Sequence, residues 1–501
     1  MNQVVQLHPE DDVVVAVRNF FAGESIRIHN QADETIILND DVMKGHKIAI
    51  CPIKRGMDVH KFGYSIGRAK TDILIGSWVH THNLETGLDG IEENTFHHVP
   101  EVPATESIKV TERVFQGYVR PNGEVGIRNE IWILNTVGCI NKTCEIFVKE
   151  ANVRFHGRVD GVYHFPHPFG CSQLGDDLAH TQRLLASLAE HPNAAGVLVV
   201  GLGCENNQID SFRGILGEDS LERIRFLKVQ EVDDEIEAGL DLIEELVEYA
   251  EQFVRERVPI AKLKIGLKCG GSDGFSGITA NPLVGLLSDV VVSEGGTTIL
   301  TEVPEMFGAE TILMNRAVND AVYQKIVSLI NDFKQYFLRH GQQIYENPSP
   351  GNKQGGITTL EEKSLGCTQK GGHATVVDVI PYGHRVSQTG LNLLQAPGND
   401  LVSVTALAAA GAHVVLFTTG RGTPFGGPVP TVKISTNSDL ALRKTHWIDF
   451  DAGPLLEGVP VDTLRDSLFD FILSVASGDV QTASERGGYR EIAIFKDGVT
   501  L

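Results

Sequence analysis

The sequence lacks long apolar runs, an excess of basic residues, and a basic or apolar start. No apolar run reaches the roughly 18 residues that a membrane helix needs, so we expect no membrane partner. The 43 basic residues are outnumbered by 65 acidic ones, for a formal net charge of −22, which argues against a nucleic-acid partner. The first residues, MNQVVQLHPEDD, are polar and acidic, unlike a secretion signal, so we expect a cytoplasmic location.

Cysteines and nucleotide-binding motifs are also scarce. Seven cysteines in 501 residues do not suit a disulfide framework, and free thiols or metal-bound thiolates are favoured instead. The sequence contains no CxxC pair, no HExxH helix and no GxxxxGKS/T loop. The string GLGCEN at 201–206 has only two glycines of the dinucleotide fingerprint. Structural zinc, nucleotide phosphate chemistry and NAD binding are therefore poorly supported.

The chain length predicts about three domains. Residues 1–98 contain short strands between turns with no long helical period, which predicts a small all-β domain. Residues 99–116 hold two prolines and mixed charges without a steady period, which predicts a linker. The predicted strands of the first domain are 13–17, 25–29, 35–40, 46–53 and 72–83.

After the linker, apolar strands alternate with amphipathic helices, which is typical of an α/β fold with βαβ units on a parallel sheet. One helical period runs from Ile236 to Val254 and another from Val322 to Phe337. A boundary near Pro259 divides this region into domains at 117–259 and 260–501. The predicted strands are 131–137, 196–203, 263–267, 289–294, 297–302, 375–380 and 413–420.

Four cysteines lie beside glycines at predicted turns. Cys139, Cys204 and Cys269 each follow a predicted strand, and Cys171 ends the string PHPFGC. Because ligands bind at the carboxyl ends of strands in open α/β sheets, these thiols are predicted to converge on a metal or a cluster. The alternative is that each cysteine is a small buried apolar residue. Glu205 adds a carboxylate, and such mixed ligands suit Fe²⁺ or Zn²⁺ better than Mg²⁺.

Histidines are candidates for proton transfer or metal binding. His80 and His82 lie in the string VHTHN at the end of the predicted strand 72–83, and strand alternation would place both on one face. Paired imidazoles can ligate a metal or transfer protons near neutral pH. The alternative is an exposed polar strand end. His167, four residues before Cys171, is a third candidate.

An acidic protein needs local positive groups to hold an anion. Arg421 follows the predicted strand 413–420 in a glycine-rich turn, where its planar fork suits a carboxylate. The alternative is that Arg421 pairs with a structural carboxylate. Lys353 lies in the irregular string NPSPGNKQGG and Lys363 in the string LEEKSLG, where either could reach an anion.

Longer strings connect the chain to a known family. They cover nearly the whole chain and include KGHKIA, VHTHN, GEVGIRNEIWILNTVGC, FGCSQLGDD, GLGCENNQ, CGGSDGFSGITANP, ENPSPGNKQGGITTLEEKSLGCTQK and FTTGRGTPFGG. Together they resemble the altronate and galactarate dehydratase family. The resemblance implies that residues 1–98 form a β-clip (SAF-type) domain, 117–259 a second, dimerisation domain, and 260–501 a Rossmann-like domain.

The resemblance also implies an activity. The strings VHTHN and HWIDFDAG look like the altronate-specific members, which implies dehydration of D-altronate to 2-dehydro-3-deoxy-D-gluconate in galacturonate breakdown. It further implies a homodimer that requires iron as Fe²⁺, with Mn²⁺ as an alternative and an iron–sulfur cluster left open. The other hypotheses are galactarate or a sulfonated hydroxy acid as the substrate, and a non-catalytic sugar-acid sensor.

Dehydration of a 2,3-dihydroxy acid assigns roles to these residues. A divalent metal stabilises enediolate charge and helps hydroxide to leave. The expected metal ligands are Cys171, Cys204 and Cys269, with Cys139 and Glu205 in reserve. The expected acid and base are among His80, His82 and His167. The expected substrate contacts are Asn83, Lys353, Lys363 and Arg421. If the histidine pair acts, the first domain must fold over the α/β region.

Overall fold

Short apolar runs between turns form the first domain of the computed structural model, which describes residues 3–28, 35–88 and 113–501. Its strands are β1 (Val4–Val5), β2 (Val13–Ala16), β3 (Ser25–Arg27), β4 (Thr35–Ile37), β5 (Lys47–Ala49), β6 (Asp58–Lys61), β7 (Tyr64–Ala69), β8 (Trp78–Val79) and β9 (Leu84–Glu85). They pair as three small antiparallel sheets, β1-β2-β5-β8, β3-β4 and β6-β7-β9. Val14, Ile48 and Val79 are fully buried between them. The predicted all-β domain is confirmed.

The strand predicted at 72–83 is wrong at both ends, since only β8, Trp78–Val79, is strand, with a turn before it and another after it. The chain turns after β8 because the Asn83 side chain accepts a hydrogen bond from the His80 N–H and donates one to the Trp78 carbonyl, both at 2.9 Å. Asparagine side chains compete in this way with strand pairing. His80 is buried and His82 is exposed. The two imidazoles therefore do not share a face, contrary to the prediction.

The second domain contains strands of two sheets and four helices among its described residues. The strands are β10 (Val114–Val119), β11 (Val125–Gly126), β12 (Glu130–Asn135), β13 (Val162–His164), β14 (Ala194–Gly201), β15 (Ile224–Lys228) and β16 (Glu256–Pro259). The helices are α1 (Asn141–Arg154), α2 (Gly175–Ala189), α3 (Ile209–Arg213) and α4 (Glu235–Ala250). The sheet β13-β12-β14-β15 is parallel. Along β12, Ile131 and Ile133 pack with α1 and α4, whereas Trp132 and Leu134 pack with α2.

Most of the predicted linker, 99–116, lies outside the described residues, which omit 89–112. Its last three residues begin β10, and Val114 to Gly117 pair antiparallel with β16. The predicted boundary near Pro259 falls at the end of this pairing. The strand pair therefore connects the two ends of the second domain.

The third domain is centred on a seven-stranded parallel sheet. Its strands are β17 (Lys264–Cys269), β18 (Thr297–Leu300), β19 (Val376–Ile380), β20 (Gly390–Leu394), β21 (Val414–Thr419), β22 (Thr431–Ser435) and β23 (Phe450–Asp451). The helices are α5 (Ala280–Ser293), α6 (Glu310–Met314), α7 (Asp320–Arg339), α8 (Pro350–Gln354), α9 (Leu360–Thr368), α10 (Asp400–Ala409), α11 (Ser438–Arg443), α12 (Val461–Ser477) and α13 (Ala483–Arg486). The strand order, β19-β20-β18-β17-β21-β22-β23, reverses direction beside β17. Ligands of open α/β sheets bind at the carboxyl edge near such a reversal.

The second and third domains share one apolar core. Leu184 of α2, Leu407 of α10 and Phe417 of β21 belong to the same buried cluster. The predicted larger α/β region with a parallel sheet is therefore confirmed. None of the helices in the described residues combines the length and the apolar character needed to cross a membrane.

The strand predicted at 289–294 is wrong, because this run lies at the end of helix α5. Leu283, Leu287 and Val291 recur every four residues and are buried to within 1% exposure, so the run DVVV belongs to a helical face. β-branched residues favour strands locally, but tertiary packing overrides that preference. Glu294 therefore caps a helix and does not end a strand.

Candidate active site

The carboxyl edge of the seven-stranded sheet carries buried ionic groups. Lys268, near the end of β17, places Nζ in contact with Glu302 Oε1 and 2.8 Å from Asp400 Oδ1. The side chains of Lys268 and Glu302 are buried, whereas that of Asp400 is 42% exposed. The group of charges therefore opens to solvent at Asp400.

Helix α9 and the turn after it add to these charges. Lys363 Nζ lies 2.9 Å from Glu305 Oε1, and Cys367 Sγ donates to Glu305 Oε2 at 3.1 Å. Lys370 Nζ lies 3.4 Å from Glu302 Oε2. We call the whole group the edge cluster: Lys268, Glu302, Glu305, Lys363, Cys367, Lys370 and Asp400. Its three lysines match its three carboxylates, and such pairing is what makes buried charge tolerable.

The two glutamates of the edge cluster differ in acidity. Burial and the nearby Glu305 carboxylate raise the pKa of Glu302. Burial also acts on Glu305, but Lys363, Lys268 and Lys370 outweigh it and hold the pKa of Glu305 at about 2. Neighbouring carboxyl groups with separated pKa values are typical of acid and base roles in one site.

The backbone at this edge is left-handed at two residues that are not glycine. The φ angle is 60° at Cys269 and 72° at Glu302. The two residues are joined, since the Cys269 N–H donates to Glu302 Oε2 at 2.6 Å. A conformation of this kind costs on the order of 1–3 kcal/mol per residue and is concentrated at functional sites. The strain supports the edge cluster as the candidate active site.

The first domain packs over helix α9 through a buried group of three charges. The ammonium groups of Lys47 and Lys61 each lie 2.8 Å from the Glu362 carboxylate, and all three side chains are buried. Burial raises the pKa of Glu362, but the two lysines outweigh it and hold that pKa at about 2. Burial lowers the pKa of Lys47 to about 8 although Glu362 opposes the shift. These contacts confirm that the first domain folds over the α/β region.

The predicted histidine pair lies at this contact between the domains. His80 Nδ1 is 3.0 Å from Thr358 Oγ1. Burial, followed by the charge of Lys47, lowers the pKa of His80 to about 4, so its imidazole is neutral at pH 7. His82 is exposed, with its ring centroid 4.9 Å from that of Trp78. His80 thus faces the third domain and His82 faces solvent, while Asn83 holds the turn between them.

His167 lies at the carboxyl edge of the four-stranded sheet, away from the histidine pair. Its Nδ1 accepts a hydrogen bond from the Phe169 N–H at 3.2 Å, and its Nε2 donates to the Asn135 carbonyl at 2.8 Å. Burial lowers the pKa of His167 to about 4. Both ring nitrogens therefore hold the loop before α2, and the predicted role of His167 in proton transfer stays a prediction.

Three of the predicted metal ligands share this edge of the four-stranded sheet. Cys139, Cys171 and Cys204 are exposed, on loops that backbone hydrogen bonds tie to one another. Glu205 organises the third loop, because its carboxylate accepts hydrogen bonds from Thr136 Oγ1 at 2.6 Å and from two backbone N–H groups. The three thiols therefore face solvent, whereas the Glu205 carboxylate is occupied by hydrogen bonds within the loops.

The fourth predicted thiol, Cys269, belongs to the other sheet, at the end of β17. Within residues 3–28, 35–88 and 113–501, no three side chains of His, Cys, Asp or Glu stand close enough to hold a metal ion. As placed, the predicted ligands therefore do not fit a metal site. The iron requirement stays a prediction.

The predicted anion contacts surround the segment 347–354. Arg421 is exposed in the turn after β21 and donates through Nη1 to the Gly351 carbonyl at 2.8 Å. Lys363 donates from the edge cluster to two asparagine side-chain oxygens of the segment, at 2.9 and 3.3 Å. Lys353 is half-buried on the segment itself. Arg421 and Lys363 thus hold the segment from two sides, next to the edge cluster.

Sequence reasoning missed most of the edge cluster. Glu302 ends the predicted strand 297–302 but is given no role there, whereas Lys268, which follows the predicted strand 263–267, is overlooked although its position gives the same signal. Cys367 lies in the family string EKSLGCTQK and Glu305 shortly after the predicted strand 297–302, but only the packing of α9 brings the two side chains together. His46 was also missed, although its Nδ1 accepts a hydrogen bond from Trp78 Nε1 at 3.1 Å in the group that contains His80.

Three family models match the chain in succession. Residues 2–87 match the altronate/galactarate dehydratase SAF domain, 117–251 the second domain of D-galactarate dehydratase/altronate hydrolase, and 260–500 the C-terminal domain of D-galactarate/altronate dehydratase. Together these models cover most of the 501 residues. The SAF identity expected for the first domain is confirmed.

Relatives of known name match over their full length. The chain is 52% identical to the altronate dehydratase of Escherichia coli (strain K12) and 50% identical to that of Bacillus subtilis (strain 168), with 100% of each chain covered. The galactarate dehydratase (L-threo-forming) of Escherichia coli is 31% identical over 98% of this chain and 96% of its own. The chain therefore belongs to the altronate/galactarate dehydratase family of hydro-lyases.

Proposed function

We propose that this hydro-lyase removes water from D-altronate to give 2-dehydro-3-deoxy-D-gluconate. The observation that carries the proposal is the full-length identity of 50–52% to two altronate dehydratases, against 31% to a galactarate dehydratase. The strings VHTHN and HWIDFDAG favour the same substrate.

The reaction is proposed to take place at the edge cluster. The net charge of −22 requires local cations for an anionic substrate, and Lys268, Lys363 and Lys370 lie there within 3.4 Å of carboxylates. A lysine that exchanges a protein carboxylate for the substrate carboxylate keeps its charge paired. Solvent reaches the cluster at Asp400, and the segment 347–354 lies beside it.

The chemistry needs one base and one acid. The base takes the proton from C2, the C3–O bond breaks, and the acid protonates the departing hydroxide to give water. The resulting enol becomes the 2-keto acid. Glu302, with its raised pKa, is proposed as the acid. Neutral His80 is proposed as the base, and the lysines of the edge cluster as the groups that stabilise enediolate charge.

The test is the rate of 2-keto-acid formation by the purified protein with D-altronate, galactarate and D-mannonate. We expect D-altronate to react much faster than the other two. Equal or faster turnover of galactarate would reject the substrate assignment. Binding of altronate without any turnover, under anaerobic conditions with Fe²⁺ and a thiol reductant, would instead favour the sensor.

Iron, a homodimer and a cytoplasmic location remain part of the proposal. The iron requirement rests on the family resemblance, since the three exposed thiols on adjoining loops do not form a metal site as placed, and metal analysis of anaerobically purified protein tests it. Light scattering tests the dimer, since a monomer has a mass of 54.6 kDa. Cell fractionation tests the location.

A further inference from the structure

A cavity of about 380 Å³ lies between helix α2 of the second domain and the loops that follow β19 and β20. Helix α2 contributes His180, Gln182 and Arg183, and the loops contribute Tyr382, His384 and Gln395. The volume falls within the range of small-molecule sites, roughly 300–1,000 Å³. The domains are joined beside the cavity by a hydrogen bond from Ser187 Oγ to the Gly383 carbonyl at 2.7 Å.

Hydrogen bonds and ring packing hold one wall of this cavity, at Tyr382 and His180. The Tyr382 hydroxyl accepts a hydrogen bond from the Phe495 N–H at 2.9 Å, and the His180 ring packs edge-on against Tyr382 at 5.4 Å. Gly383 has φ of +75°, and a Cβ there would lie 3.2 Å from the Leu184 backbone nitrogen. The loop therefore approaches α2 more closely than another residue type would permit.

The polar groups of the cavity favour an anion. None of the lining residues that the structure describes carries a carboxylate, although the chain has 65 acidic residues. Arg183 is exposed and forms no ion pair among the described residues, and the buried Nδ1 of His180 has no hydrogen-bond partner there either. Burial, and next the charge of Arg183, lowers the pKa of His384. A guanidinium without a carboxylate partner, beside two imidazoles and two amides, matches a carboxylate that carries hydroxyl groups.

We propose that this cavity binds a small hydroxylated organic carboxylate at a site separate from the edge cluster. Arg183 holds the carboxylate through its planar fork, and His180, His384 and the amides of Gln182 and Gln395 contact the hydroxyl groups. Ile215 and Pro381 contribute apolar surface to the lining.

The chain connects the cavity to the edge cluster within five residues. Gln395 lies in the cavity, the Ala396 carbonyl accepts a hydrogen bond from the Val303 N–H at 3.0 Å, and Asp400 pairs with Lys268. A ligand that moves Gln395 would therefore change the surroundings of Lys268. This coupling to activity rests on the proposed function, whereas binding in the cavity does not.

Hydrogen exchange measured by mass spectrometry on the whole protein tests the binding, with D-gluconate, inorganic phosphate and the neutral polyol sorbitol as probes. We expect gluconate to protect peptides covering 179–183 and 381–395, phosphate to protect them less, and sorbitol not at all. In Arg183→Gln, the gluconate concentration needed for the same protection should rise at least tenfold. In His384→Gln it should rise by a smaller factor. Arg257→Gln, at an exposed arginine on β16, is the matched control and should change nothing.

Several results would overturn the proposal. Absence of protection at these peptides, equal protection by sorbitol, or protection by phosphate alone each contradicts a hydroxy-carboxylate site. Protection that survives Arg183→Gln contradicts the assigned carboxylate contact. If gluconate protects the cavity but leaves the rate of altronate turnover unchanged, binding stands and the coupling fails. If the protein turns over none of the sugar acids, only the proposed function fails.

Discussion

The carboxyl edges of the two parallel sheets place different chemistry in similar topological positions. At the four-stranded sheet, Cys139, Cys171 and Cys204 are exposed. Glu205 and His167 beneath them form hydrogen bonds within the loops, whereas the buried Gln173 Nε2 and Asn207 Oδ1 have no partner among the described residues. At the seven-stranded sheet, lysines and carboxylates are buried against each other, and the backbone is left-handed at Cys269 and Glu302. The first arrangement suits capture of a ligand from solvent, and the second suits proton transfer away from bulk water.

The largest expected effect comes from Glu302, the proposed acid. Glu302→Gln keeps the shape of the side chain but cannot give up a proton, so kcat should fall by a factor on the order of 10²–10⁴. Steady-state assay with D-altronate measures it, and circular dichroism checks folding. The control is Glu130→Gln, which breaks the buried pair at 2.8 Å between Glu130 of the second domain and Arg490 of the third. The control should lower stability and leave kcat per folded molecule unchanged. If kcat falls equally in both variants, Glu302 has only a structural role and is not the acid.

The next largest effect concerns the charges between the first and third domains. Glu362→Gln leaves Lys47 and Lys61 buried without their shared carboxylate, and loss of one partner in a buried pair costs about 3–5 kcal/mol. Chemical denaturation should show this loss in the free energy of unfolding. Glu24→Gln, at the partly exposed pair with Arg18, is the control and should cost far less.

Acid should act on the same groups. The folded pKa of both Glu305 and Glu362 is about 2, below the value of about 4.3 for an unfolded glutamate. Their stabilisation is therefore fully present above the unfolded pKa and is lost as pH falls toward 2. The free energy of unfolding should decrease between about pH 5 and pH 2, and it should decrease less steeply in Glu362→Gln. An identical slope in the variant would contradict the ionised state of Glu362.

The metal prediction distinguishes the two edges directly. If the thiols come together on iron, Cys171→Ser and Cys204→Ser should each lower the affinity for iron, because a hydroxyl is a poorer ligand than a thiolate. Cys144→Ser, at a buried cysteine of α1, should leave iron unchanged. Iron that depends on Cys269 alone would move the metal to the seven-stranded sheet, and full occupancy in every variant would remove thiols from the ligand set.

The sequence predicts strands better than it predicts the site. Apolar patterns identify β2, β12, β14, β17 and β21 because these strands are buried along their whole length or, in β17, at all but the two end residues. The same patterns fail at 289–294, where β-branched residues lie in a helix, and after Val79, where Asn83 bonds to the backbone of His80. The secondary-structure preference of a short segment does not include its contacts with residues elsewhere in the chain.

The edge cluster illustrates that limit. The strand ends at Lys268 and Glu302 are visible in the sequence, but their partners Lys370 and Asp400 are separated from them by 68 and 132 positions. The thiols are predicted as site residues because cysteine beside glycine is a rare pattern. Lysine and glutamate are common along the sequence, so no such pattern marks them. Burial distinguishes a reactive lysine from a surface one, and burial of a charged residue cannot be inferred from its neighbours in sequence.

The smallest expected effect concerns Arg421, which lies at the rim of the seven-stranded edge. Its guanidinium donates to the Gly351 carbonyl at 2.8 Å and is exposed, so a substrate carboxylate can replace that carbonyl without uncovering a buried charge. Arg421→Lys keeps the charge but loses the planar fork, and KM for D-altronate should rise about tenfold, equivalent to roughly 1.4 kcal/mol. The midpoint of thermal unfolding should barely change, as it should in the control Arg257→Lys. Normal KM with earlier melting would show that Arg421 serves the segment 347–354, and the anion would then be left to Lys353 or Lys363.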